Sequence, residues 1–265
     1  MGDVGLKSRP EIKMLAKGAM REQRGTAILL VFVYGLMVGV SVLLDQITLR
    51  VAGWLPYLIV FWAGLLILWV MMVNLAGEYV KIYRREPACV GALFTGLGVN
   101  FARKLGGTLW MMLWVFLWSC LLVIPGIIKG LAYSMTYFIL ADAPKAPARQ
   151  ALKLSMRMTA GYKGELFVLW LSFIGWGILS SFTLGILYIV FVGPYMYATF
   201  AGYYIGLRDK AIAEGRISPE ELGMAAVGGP SLGEKIPEGR FGRRLGREVL
   251  TRGFKRHIIL SFKGE

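Results

Sequence analysis

LVIPGIIKGLAYSMTYFILAD, residues 122–142, is apolar enough for lipid, yet it holds Pro125-Gly126, a lone Lys129 and a run of small and hydroxylated residues. It belongs to a mostly apolar stretch, 105–141, far longer than the ~20 residues a helix needs to cross a ~30 Å hydrocarbon core. Read as one helix, that stretch leaves residues 142–164, with Lys145, Arg149, Lys153, Arg157 and Lys163, on the side opposite the other basic segments. Read as two, it breaks at Pro125-Gly126, because proline removes a helix donor and glycine relaxes the backbone. The spacing therefore predicts spans at 105–124 and 127–141 with a turn at the outer surface, where Lys129 snorkels towards the headgroups.

The rest of the chain extends this pattern. Residues 26–49, 56–79, 165–182 and 186–207 are further apolar spans, joined in pairs by the short links 50–55 and 183–185. The expected fold is an all-α polytopic membrane protein with six transmembrane helices in three hairpins. With the N-terminus inside, all but two of the 30 basic residues, Arg50 and Lys129, fall on the inner side. The positive-inside rule then predicts a multi-pass cell-membrane protein with both termini cytoplasmic.

The inner connections carry helical patterns of their own. In 10–24, Ile12, Leu15, Ala16 and Ala19 share one face, and Lys13, Lys17, Arg21 and Arg24 another. In 87–104, Val90, Leu93, Phe94, Leu97 and Phe101 follow helical spacing. In 147–163, Arg149, Lys153 and Arg157 recur every fourth residue, opposite Ala151, Leu152, Ser155, Met158 and Tyr162. These read as interfacial amphipathic helices, apolar face down in the headgroup plane. The unit of interfacial helix and hairpin then occurs three times, with a loose alignment of 15–25 on 154–164. The expected organisation is an amphipathic N-terminal segment, 1–25, a six-helix transmembrane domain, 26–207, and a cytoplasmic tail, 208–265, partly disordered and basic over 240–265.

Composition narrows the chemistry. The chain is 56% hydrophobic with a net charge of +14, and its basic residues flank apolar runs, so membrane topology explains the charge and no nucleic-acid partner is expected. Residues 1–24 are basic with no early apolar core, so no cleaved signal peptide is expected. Cys89 and Cys120 fall in different environments and His257 is the only histidine, which argues against histidine-based metal sites and Ser-His-Asp triads; no cofactor is expected. Gly229-Pro230-Ser231-Leu232-Gly233 matches a hydrolase elbow pattern but sits in a polar tail without the strand and helix that the motif needs.

Three stretches carry a resemblance: IPGIIKGLAYSMTYFILAD at 124–142, ALKLSMRMTAGYKGELFVLWLSFIGWGIL at 151–179, and TLGI at 183–186 followed by PYMYATFAGYY at 194–204. With them the chain resembles an uncharacterised bacterial integral-membrane family, domain of unknown function 975, over roughly 10–207. The resemblance implies a multi-span membrane fold and brings no reaction, ligand or catalytic residue.

Within the spans the ionisable candidates are Asp45 and Lys129, both near the outer surface, which either pair with each other or each reach the interface; Glu78 lies near a cytoplasmic end, and Asp142 and Glu165 at span boundaries. Arg149, Lys153 and Arg157 are candidates for anionic headgroups or a membrane-protein partner. The small-residue stripes Gly35/Gly39, Gly126/Gly130/Ser134 and Ala198/Gly202/Gly206 read as helix-packing faces. Tyr133, Thr136 and Tyr137 are expected to hydrogen-bond across helices, to Ser172 or Tyr195. The leading expectation is a non-enzymatic scaffold or accessory component working through lipid or protein contacts. The alternative is a transporter or channel component with a mid-membrane polar site lined by Tyr133, Thr136, Ser172 and Asn74. A lipid-acting enzyme is the weakest reading, because no acid, base, nucleophile or metal constellation is visible.

Overall fold

The computed structural model describes residues 8–223, and among these the regular elements are all helical. In chain order they are α1 (Arg9–Glu22), α2 (Arg24–Ala52), α3 (Trp54–Tyr83), α4 (Ala92–Gly98), α5 (Phe101–Leu121), α6 (Val123–Tyr133), α7 (Thr136–Asp142), α8 (Ala148–Met158), α9 (Lys163–Phe182) and α10 (Gly193–Ala213). A π-helical turn, Tyr188–Val192, leads into α10, and a 3-10 turn, Glu220–Leu222, follows it. Five helical segments are long and apolar enough to cross a membrane: α2, α3, α5, α6 with α7, and α9. Five such segments make this a multi-pass membrane protein.

The stretch 105–141 does break, but not at Pro125-Gly126. Extended backbone falls at Leu122 (φ −159°, ψ 140°), and Pro125 lies in the first turn of α6, where its missing N–H is no loss. Gly126 is needed for a different reason: a Cβ there would collide with Ser119. Ser119 against Gly126, Met111 against Ala132 and Tyr133, and Gly107 against Leu140 set an antiparallel register between α5 and α6–α7. A second break, at Ser134-Met135, separates α6 from α7, and the Ser134 hydroxyl donates to Leu131 O at 2.8 Å. Together α6 and α7 make a 20-residue span, Val123–Asp142, rather than the expected 127–141.

The segment 186–207 is helical but is not among the five. Glycine, proline, threonine and tyrosine dilute its apolar character. The reason lies in its surroundings: Ala198, Ala201, Tyr203, Tyr204 and Leu207 are completely buried. A helix enclosed by protein needs no lipid-compatible surface. Pro194 does not break it, because the widened π turn just before it, with the Gly193 N–H donating to Tyr188 O, relieves the clash a proline imposes on the preceding turn.

Most of the buried core lies in one half of the spans. In α3 the buried residues run from Val70 to Ile82; in α5 from Lys104 to Met111; in α2 they are Ala27, Leu30 and Val31, with Asp45 apart. This half carries the basic connections. The opposite halves of the spans expose apolar side chains, among them Ile59, Phe116, Ile124 and Leu184.

Three local expectations change. The apolar faces of α1 and α8 meet protein: Ile12, Ala16 and Ala19 are buried, Ile12 against Gly202 of α10, while Leu15 is exposed. On α8, Ala151, Leu154 and Met158 are buried, and Ser155 donates to Ala132 O at 2.7 Å. Helical spacing shows that a face will be buried but not whether lipid or protein covers it. The helix expected over 87–104 is only seven residues, α4, because Asn100 turns left-handed (φ 53°) and restarts the chain as α5. The domain boundary expected at 207 falls inside α10, and Ile217 and Leu222 are buried beyond it. The hydrolase-like pattern at 229–233, His257 and the basic run 240–265 lie outside the described residues.

Candidate functional site

The polar residues converge at the basic end. The last turns of α3 present Asn74, Glu78, Lys81 and Arg84 at spacings of three and four, which puts them on one stripe. Asp142, the last residue of α7, faces this stripe. Its carboxylate accepts both guanidinium arms of Arg84 at 2.7 Å, the Tyr204 hydroxyl at 2.9 Å and Arg208 Nη1 at 3.1 Å. Tyr204 and Arg208 are one turn apart on α10, so one buried carboxylate ties three helices together.

Beside it lies a second set. Lys104 Nζ, in the first turn of α5, donates to Asn74 Oδ1 at 2.7 Å and to Gly96 O at 2.8 Å. Asn74 Nδ2 donates onward to Leu93 O at 3.0 Å, pinning α4. Glu78 accepts Lys81 Nζ at 2.7 Å and the Cys89 N–H at 2.9 Å. Arg103 donates to the carbonyls of Leu140, Ala143 and Ala146, closing the end of α7 where helix carbonyls are otherwise unpaired. Between these groups is a cavity of about 450 Å³, lined by Asn74, Glu78, Lys81, Lys104, Thr95 and Asp142 among others. Both oxygens of Glu78 and of Asp142 are engaged, whereas Lys104 meets only neutral acceptors. Chemically the arrangement orients charges that balance, with Lys81, Arg84 and Lys104 against Glu78, Glu86 and Asp142 around the cavity; among the described residues no group of three or more His, Cys, Asp and Glu is placed to hold a metal ion.

The residues singled out from sequence are distributed differently. Asp45 is buried with Oδ1 unpartnered, and Lys129 lies over the Trp118 ring at 4.9 Å; no ion pair joins them among the described residues. The reason is placement: Lys129 is turned to α5, its hairpin partner. Arg149 lies over Trp110 at 5.2 Å, Arg157 pairs with Glu221 at 2.7 Å, and Lys153 shares a shallow cleft with both arginines. Tyr133, Thr136, Ser172 and Asn74 do not meet around one cavity. Tyr133 packs with Met111 and Leu152, the buried Thr136 hydroxyl has no partner, and Ser172 accepts from Lys13 Nζ at 3.0 Å. Asn74 and Glu78 are visible in the sequence one by one, but not as one stripe with Lys81 and Arg84; polar residues at helical spacing in the last turns of an apolar span are the signal that marks it.

The Arg157–Glu221 contact folds residues 214–223 back onto α8. The Arg157 hydrogen bond, helped by the Ser218 N–H, holds the Glu221 carboxyl below the ordinary glutamate range. A carboxyl whose folded value is depressed contributes stability above its unfolded value, about 4.3, and loses it as pH falls through the folded one. The unfolding midpoint of the wild type should therefore exceed that of Glu221→Gln at neutral pH, and the difference should shrink as pH falls below about 4.3 and disappear below the folded value. Because the pair is partly solvated, the difference should stay under about 1 kcal/mol. A difference independent of pH would show that the carboxylate charge is not what holds this segment.

Comparison with curated proteins and with solved structures finds no match. A family model described as Protein of unknown function (DUF975) matches residues 58–211, which takes in the α3 stripe, Lys104, Asp142 and the Tyr204–Arg208 pair. That match covers more than half of the sequence, and the chain belongs to the DUF975 family.

Proposed function

We propose that this chain is a non-enzymatic membrane scaffold or accessory component, built as six spans in three hairpins with both termini on the cytoplasmic side of the cell membrane. The segment 186–207 is the sixth span, paired antiparallel with α9 through Trp176–Phe191 and Phe173–Tyr195 ring contacts. The carrying observation is the uneven packing: one half is a tight, ion-paired core, and the other presents apolar helix faces for lateral contact in the bilayer. Arg149 and Lys153, on the solvent side of α8, are the basic residues offered to anionic headgroups or an acidic partner.

A transport reading has one observation in its favour, the polar cavity at Lys104. Towards the membrane centre the Leu140 side chain lies against Gly107, at 2.7 Å from where a Cβ would stand, and fills the α5–α7 gap.

Topology is tested by thiol labelling in a cysteine-free background. Leu184→Cys and Ala52→Cys should react in intact cells, and Gln150→Cys only after permeabilisation. External reaction at Gln150 would overturn the orientation. In proteoliposomes, release of small ions should match protein-free vesicles. A flux abolished by Lys104→Met would replace the scaffold reading by the transport one.

A further inference from the structure

Where α1, α2 and the start of α10 meet, a separate cavity of about 180 Å³ is lined by Lys17, Met20, Arg21, Arg24, Ala27, Ile28, Val190, Phe191 and Pro194. Its two ends differ in chemistry. At one, Lys17, Arg21 and Arg24 stand on consecutive turns across the α1–α2 junction, and none has a carboxylate partner among the described residues. The nearby Glu22 is taken by Arg85 at 2.9 Å. At the other end, Ile28, Val190 and Phe191 form an apolar wall continuous with exposed membrane-facing surface: Val190 is 44% and Phe191 40% exposed.

Lys17, Arg21 and Arg24 are exposed side chains that line one cleft, and an anion between them would be attracted by all three. Water alone would suit the cations but not the apolar wall. A molecule with a phosphate at one end and a hydrocarbon chain at the other suits both. The wall is formed in part by the π turn Tyr188–Val192, the single place among the described residues where the helical ladder widens, and such bulges concentrate at functional sites. We infer that this cleft is a binding site for one anionic phospholipid, its phosphate held by Lys17, Arg21 and Arg24 and an acyl chain laid along Ile28, Val190 and Phe191. A bound lipid would brace α1 against α2 and α10 at the point where only the short Gln23 link joins the first two helices.

The inference needs the membrane-spanning fold and not the scaffold role, and its readout is separate from topology and flux. The probe is phosphatidylglycerol, with phosphatidylcholine as the neutral comparison, added to the full-length protein in mild detergent and followed by native mass spectrometry. The wild type should retain one phosphatidylglycerol at least tenfold more strongly than phosphatidylcholine. K17Q/R21Q/R24Q should lose that preference, while R9Q/K145Q/K163Q, which removes equal charge elsewhere, should keep it within twofold. V190W, with all charges intact and a substitution at an exposed position, should also lose retention at least fivefold, and it keeps the test decisive if the triple variant does not fold. Equal loss in both triple variants would reduce the effect to net charge and overturn the site. Retention undiminished in V190W, or glycerol 3-phosphate displacing the lipid at equal concentration, would overturn the lipid as occupant.

Discussion

Asp142→Ala is expected to destabilise the protein by about 3–5 kcal/mol, the range for removing one partner of a buried charge pair. Among the described residues the carboxylate is the only acid on Arg84 and, with the exposed Asp209, one of two on Arg208. Its side chain is 8% exposed and that of Arg208 13%. Without it, Arg84 and the Tyr204 hydroxyl lose their acceptor, and Arg208 keeps only Asp209, at the junction of α3, α7 and α10. The measurement is the unfolding midpoint in detergent together with the yield of monodisperse protein. Asp142→Asn keeps the volume and part of the hydrogen bonding, so it should fall between wild type and alanine. Replacing the set together, as D142L/R84M/R208M, removes the stranded charges and should recover much of the loss, since apolar groups of similar size substitute well for buried ion pairs. A triple variant as unstable as Asp142→Ala would show that the cost comes from shape and not from unpaired charge.

Gly202→Leu should have the second largest effect. A Cβ at this position would lie 2.5 Å from Tyr83 Cε2 and 2.9 Å from Ile12 Cγ2, in a contact shared by α10, α3 and α1. Overpacking of this kind costs about 1–3 kcal/mol, and a whole leucine exceeds what the tyrosine ring can yield. The release should be local first: Ile12 and Ala16 of α1 are buried in this contact region, so trypsin should cut at Lys13, Lys17 and Arg21 in the variant well before it does in the wild type. Gly18 is the control. It lies inside α1 with nothing within 4 Å of its added Cβ, so Gly18→Ala should be neutral or stabilising by up to about 1 kcal/mol. Equal proteolysis of the two variants would mean that α1 is not held through Gly202.

Two glycine stripes that look alike in sequence separate here. Ala198 and Gly202 sit in the packed half and are used; Gly35 and Gly39 have nothing within 4 Å and lie on an open face of α2. Spacing shows that a helix can be approached closely, while the neighbour's position decides whether it is.

What the sequence determined by itself is the membrane-spanning, all-helical character of the chain and the need for a break within 105–141. Both follow from local quantities: the length of apolar runs against the thickness of the hydrocarbon, and the distribution of basic residues. The residue at which the chain breaks was beyond it, because Leu122 opens the backbone so that Gly126 can reach Ser119, a contact between two helices. The segment 186–207 shows the same limit, since the polarity of its later part is tolerated where other helices bury Thr199, Tyr203 and Tyr204. The site belongs to tertiary structure for the same reason. Asp142, Arg84 and Arg208 are far apart in sequence and each looks like an ordinary boundary charge. Only the side-by-side packing of α3, α7 and α10, whose C-terminal ends gather at the basic side, brings both guanidinium groups within 3.1 Å of the carboxylate, largely out of water, where a boundary charge becomes a structural tie.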